Sequence, residues 1–266
     1  MSAEHDPILA PPPEEVPLPR APLVRVIAQV RFSTILEAQR SEFVAPFQEA
    51  IRADYPILRR EHAQGVLIGP RGGALGETEV AWRFADADDA WRVSLAPEFI
   101  ALETTAYSSR GDFLGRMRTV LEAVEEHLRP AVAQRVGLRY IDRVTGEELE
   151  DIAALVRPEM LGIANTPLFP HAQHELSDAL LSVSDAGEQI RARWGHLPAG
   201  GTVDPNAIEP IDERSWILDL DMFSAERRPF KAGSLAEGLG RFAERIYTVF
   251  RWAVTEEFLR RYGGTP

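Results

Sequence analysis

Three short runs follow one another almost without interruption: EVAWRF (Glu79 to Phe84), AWRVSL (Ala90 to Leu95) and FIALETTAY (Phe99 to Tyr107). The first two alternate apolar and polar residues, the period of a half-buried strand whose successive side chains point to opposite faces. The alternation places Val80, Trp82, Phe84, Trp91, Val93 and Leu95 on a buried side and Arg83, Arg92 and Ser94 on the other. The runs predict an antiparallel meander with an arginine-bearing second face.

The flanking sequence extends this pattern into an α+β chain. A first strand is expected from Leu23, where Val26, Ala28, Val30 and Phe32 alternate with Arg25, Ile27, Gln29 and Arg31. A helix is expected around Pro46 to Asp54 and another from Asp112 to Leu128, the latter with Phe113, Met117, Val120, Leu121, Val124 and Leu128 on one stripe. RVGLRYIDRV adds a strand, with Val136, Leu138 and Tyr140 on one side and Arg135, Arg139 and Ile141 on the other. A short helix near Asp151 to Leu161 leads to a second meander of His174 to Val183, Gln189 to Trp194 and Trp216 to Phe223. The last helix carries a capping box, Ser234 with Glu237, an apolar stripe from Leu235 to Ala253, and a terminating Gly263. The expected architecture is α+β: antiparallel meanders in two approximately repeated halves (about 23–146 and 168–266), with long helices on one face. Residues 1–22, with PPPEEVPLP, are expected to be an extended or disordered tail ahead of a single domain spanning 23–266.

Composition narrows the chemistry. The chain has no cysteine, which removes disulfides, thiolate nucleophiles and cysteine-ligated metals together. Its formal net charge of −12 argues against broad nucleic-acid binding, which depends on neutralising phosphates. The only lysine is Lys231, so Schiff-base chemistry would need that residue or the N-terminus. No apolar run is long enough for a membrane helix and no secretory signal opens the chain, so a cytoplasmic location is expected.

Three residue sets could carry function. Arg31, Arg83, Arg92 and Arg139 stand on the polar faces of four strands and could bind a small anionic ligand or an acidic protein partner; a solvated, salt-bridged face explains them without any ligand and is the simpler account. Asp219 and Asp221 in SWILDLDMF share one strand face and could hold a magnesium ion or position a base, while pairing with Arg193 and Arg191 of the preceding strand accounts for them without chemistry. PHAQHE brings His171, His174 and Glu175 together, without the HExxH or HxxEH spacing of a zinc helix. His62, His127 and His196 are isolated in sequence. The loop GPRGGALG precedes a strand rather than a helix, so it reads as a hairpin loop and not as a phosphate cradle, and Asp86, Asp88 and Asp89 read as a hairpin tip. No GxSxG, GxxxxGK[ST] or GxGxxG signature occurs.

The segments PLPRAPLVRVIAQVRF, WRVSLAPEFIALETTAY, RVGLRYIDRV, WILDLDMF and RFAERIYTVFRWAVTEEFL together resemble a sporadically distributed bacterial family of uncharacterised proteins of about this size. The last helix has Phe242 and Ala243 where such proteins often carry a leucine–histidine pair. The resemblance implies a single α+β unit and carries no activity with it. The function expected is that of a binding or adaptor protein engaging a protein partner or small anionic ligand, with no cofactor. The alternative is a metal-dependent hydrolase or phosphoryl-transfer enzyme using Asp219 and Asp221.

Overall fold

The computed structural model describes residues 6–69, 72–184 and 187–266, and their side chains except in 62–69 and 72–80. Alternating sequence becomes strand throughout: β1 (Leu23–Phe32), β2 (Ile57–Gly69), β3 (Gly72–Ala85), β4 (Trp91–Ala96), β5 (Phe99–Thr104), β6 (Val132–Val144), β7 (Glu175–Ser182), β8 (Glu188–Leu197), β9 (Ser215–Ser224) and the two-residue β10 (Arg228–Pro229). The helices are α1 (Ser41–Ile51), α2 (Arg110–His127), α3 (Gly146–Glu150), α4 (Ile152–Leu155), α5 (Ala232–Ala253) and α6 (Glu256–Arg261). Helix and strand are mixed, and the strands form one antiparallel sheet.

The chain divides into two compact units. The central unit comprises Ile27–Gly137 and Ala225–Gly240; the terminal unit comprises Met1–Val26, Leu138–Ser224 and Arg241–Pro266.

In the central unit the strands run in the order β2-β3-β4-β5-β1. The meander read from sequence appears in register: Trp82 faces Leu95, Phe84 faces Val93, Val93 faces Leu102. Trp82, Phe84, Trp91, Val93 and Leu95 are buried as the alternation requires. The side chain of Val80 lies outside those described. Helices α1 and α2 cover this face, Phe47 meeting Phe84 edge-on at 5.6 Å and Phe113 lying 5.9 Å from Trp91. The Trp82 indole donates to the Ala38 carbonyl at 2.7 Å, which satisfies its one polar atom in the core.

Several boundaries differ from the sequence reading. Helix α1 begins at Ser41, so Pro46 sits inside it rather than in its first turn. The glycine-rich run lies mostly within β3, and Pro70 and Arg71 lie outside the described residues. Helix α5 starts at Ala232, so Ser234 is already helical. Its first turn is capped instead by Glu125 of α2, whose carboxylate accepts from the Ala232 N–H at 2.8 Å and from Lys231 Nζ at 2.9 Å. That carboxylate is held below its ordinary pKa, chiefly by the backbone hydrogen bond and then by Lys231. The apolar stripe ends at Ala253; Thr255 then caps α6 by accepting from the Phe258 N–H at 3.2 Å. Gly263, at φ 90°, ends α6 rather than the long helix.

In the terminal unit β6, β9, β8 and β7 are neighbours in that order. The pairs Ile190–Met222, Ala192–Leu220 and Trp194–Leu218 set the register of its central hairpin. Phe250, Phe258 and Tyr262 form an aromatic series with centroids 5.6 and 4.6 Å apart. Residues 6–22 form no helix or strand and lie against α5 and α6, held by hydrogen bonds from Arg245, Tyr247 and Arg251.

Candidate functional site

The strand arginines each meet a carboxylate of their own. In the central unit Arg31 pairs with Glu98, Arg83 pairs with Glu61 at 3.1 Å and also donates to Ser94, and Arg92 pairs with Glu103 at 2.8 Å. The register explains the last pair directly, because Arg92 and Glu103 are opposite one another on β4 and β5. This face of the central sheet is a lattice of alternating charge rather than a pool of unopposed cations.

Arg139, on β6 of the terminal unit, has a different environment. Its Nε and Nη2 grip Asp219 on β9 at 2.7 and 2.9 Å, and its Nη1 reaches Asp204 at 2.8 Å. Arg193 of β8 adds a third donor to Asp219 at 2.5 Å and a bond to the Val203 carbonyl at 3.3 Å. Asp219 is 1% exposed, so both its oxygens are spent on guanidinium groups inside the protein. Burial works against the charged form of Arg139, but the hydrogen bonds to Asp219 and Asp204 outweigh it and raise its pKa. The cross-strand pair of Arg193 with Asp219 is as the register predicts. Arg191, opposite Asp221, also hydrogen-bonds Asp178 of β7. The network pins the 202–208 loop to the sheet, since Asp204 also accepts from the Asn206 N–H. Among the described residues no group of three or more His, Asp or Glu could hold a metal ion.

The PHAQHE segment separates. His171 and His174 are exposed, whereas Glu175 enters β7 directly opposite His196 of β8. His196 is 5% exposed, its Nδ1 lies 3.9 Å from Glu175 Oε2, and neither atom makes a hydrogen bond within the protein. Burial, helped by the charge of Arg214, holds the imidazole down at about 4, while burial pushes the Glu175 carboxyl up. A cross-strand partner 21 positions away is invisible to motif spacing, which is why His196 carries no signal in sequence.

The site that the sequence reading missed lies in the central unit, where the end of α1 meets the first half of α2. A cavity of about 330 Å³ opens there, lined by Ile51, Asp54 and Tyr55 on one side and by Gly111, Asp112, Gly115, Arg116 and Thr119 on the other. Gly111, Gly115 and Thr119 recur every four residues, so they form one small-residue column along α2. A Cβ added at Gly111 or Gly115 would meet nothing within 4 Å; the missing side chains are what leave the space. Tyr55 is 3% exposed, and its hydroxyl makes no hydrogen bond that satisfies distance and angle, although the Arg116 guanidinium is its charged neighbour. Burial raises the phenol pKa, and Arg116 opposes that rise. Arg116 itself lies over the Trp91 ring at 4.4 Å and spends its Nε on Asp112 at 3.0 Å. Asp112 is further engaged by Ser108 at 2.8 Å. The cavity therefore presents a buried hydroxyl and a carboxylate from the end of α1, facing a fixed guanidinium and a second carboxylate from α2. In sequence its signal is GDFLGRMRT, two glycines four apart on the polar side of a helix whose stripe is otherwise apolar.

No protein-family model matches this sequence, and no curated protein matches it either.

Proposed function

We propose that the protein is a binding protein whose ligand is a small polar molecule held between α1 and α2. One observation carries this reading: a buried tyrosine hydroxyl, with the Arg116 guanidinium beside it, lines a cavity of ligand size that two helix glycines keep open. A bound oxygen acceptor would satisfy Tyr55 and Arg116 together. Asp54 and Asp112 oppose a polyanion and favour an amino group, so a small zwitterion fits the charge pattern better than a phosphate-rich ligand. This keeps the expected binding role and moves its site from Arg31, Arg83, Arg92 and Arg139, whose charge is already matched, to Tyr55 and Arg116.

The test is calorimetric titration of the full chain with amino acids and other small zwitterions, compared with inorganic phosphate. Saturable binding to wild type, lost in Gly115→Leu and weakened about tenfold in Tyr55→Phe, supports the reading. Binding that survives Gly115→Leu unchanged removes it. The metal-dependent alternative at Asp219 and Asp221 would have to displace Arg139 and Arg193 from Asp219; equal melting temperatures with and without magnesium or manganese would dispose of it.

The finer fold reading is also a proposal. The order of elements supports two approximate repeats: β1, α1, a meander and α2, then β6, short helices, a meander and α5. We also propose kinship with the bacterial family that the sequence resembles.

A further inference from the structure

The segment preceding β1 behaves as a ligand of the protein that carries it. Arg245 Nη1 donates to the carbonyls of Pro7 at 3.1 Å and Ala10 at 2.7 Å; the Tyr247 hydroxyl accepts from the Val16 N–H at 2.7 Å and donates to the Glu14 carbonyl at 3.3 Å. These bonds from α5 reach main-chain atoms, as in recognition of an extended, proline-fixed peptide. The far end of the groove is a glycine seat. A Cβ at Gly264 would lie 2.7 Å from both Val16 Cγ1 and Leu18 Cδ2, and Pro19 packs 3.4 Å from the Cβ position of Gly263. Acidic Glu14 and Glu15 in the segment are opposite in sign to the arginines of α5. No residue of 6–22 is buried, so the segment lies on the surface as a strap and contributes little to the core.

We propose that this α5–α6 groove is a receptor for an extended, proline-rich segment of a partner protein, of the type acidic-acidic-apolar-Pro-Leu-Pro, and that residues 6–22 occupy it in cis until displaced. A proline-rich chain loses little freedom on docking, and main-chain bonds tolerate exchange of one such sequence for another. A second copy of this chain is the poorer occupant, because its own segment is already held in cis and exchange would add no contact. This inference is independent of the cavity between α1 and α2.

The experiment uses the full chain and a fluorescent peptide of residues 6–22. In a Val16→Asp, Leu18→Asp chain the tethered competitor, present at an effective concentration on the order of millimolar, is weakened. The peptide is expected to bind that chain at least tenfold more tightly than wild type, and to lose this binding when Arg245→Gln and Tyr247→Phe are added. Absence of binding to the doubly substituted chain, with circular dichroism unchanged, overturns the proposal, as does equal binding of a scrambled peptide. Should that chain fail to fold, a spin label at Leu9 of the otherwise wild-type protein reads displacement instead: excess peptide must raise its mobility, and unchanged mobility overturns the proposal. Concentration-dependent dimers of wild type that peptide dissolves would assign the groove to a second copy and overturn the heterologous partner.

Discussion

Arg139 and Arg116 are both arginines beside aspartates, and their surroundings differ in one respect that separates structure from binding. Around Arg139 every strong donor is spent: two guanidinium groups close on both oxygens of Asp219, and the spare nitrogen of Arg139 is taken by Asp204. Around Arg116 there is capacity left over, because the neighbouring Tyr55 hydroxyl is buried with no well-formed hydrogen bond and the space before it is open. A saturated network holds a loop in place, whereas an unsaturated one costs stability and is retained where a ligand completes it.

The largest effect follows from breaking the saturated side. Asp219→Ala leaves Arg139 and Arg193 buried without their carboxylate, and about 3 to 5 kcal/mol of stability should be lost in urea denaturation. Asp221→Ala, one pleat on and half-exposed, should cost far less; equal losses at the two positions would refute the distinction.

Buried titratable groups should instead report themselves through pH. His196, at about 4 in the fold against an ordinary 6.5, disfavours its charged form, so its contribution is intact above about 6.5 and is lost progressively as pH falls toward 4, by about 3 kcal/mol. Asp142 on β6 is buried and pushed up to about 7 by burial alone, so it acts in the opposite direction. Its protonated form is favoured in the fold, and that stabilisation is complete below about 3.9 and is lost as pH rises through 7, by about 4 kcal/mol. Wild type should therefore show a shallow stability profile between pH 4 and 7. His196→Phe should make stability rise on acidification, and Asp142→Asn should make it fall; parallel profiles for all three proteins would contradict both assignments.

On the unsaturated side substitutions should stabilise. Gly115→Ala removes a helix glycine into open space and should add about 1 kcal/mol, and Tyr55→Phe, by deleting an unsatisfied hydroxyl, should add a similar amount. A gain in stability together with weaker ligand binding is the signature of a site rather than a core. The smallest effect belongs to the central sheet's charged face, where Arg31→Ala, facing Glu98 at the surface, should change stability by less than about 1 kcal/mol.

What was legible in sequence was what depends on period. The β3 to β5 meander, the stripe of α2 and the strand registers around Trp216 to Phe223 all follow from alternation or helical spacing within a few residues of one another. Helix ends were less legible, because Glu125 caps α5 from 107 positions away and no local box is used. The partners of the strand arginines were not readable: Glu61, Glu98 and Asp204 come from other segments. The cavity was hidden for a related reason. Gly111 and Gly115 carry no signal of their own until Tyr55, more than 50 residues earlier, is set opposite them.

The most direct test of the central claim is a heteronuclear NMR titration of the uniformly labelled chain with small zwitterions. Shifts that saturate and cluster on Ile51 to Tyr55 and Gly111 to Thr119, and that vanish in Gly115→Leu, are the predicted result. Saturating shifts centred on Arg31, Arg83 and Arg92 instead, or a spectrum that no zwitterion perturbs, would contradict it.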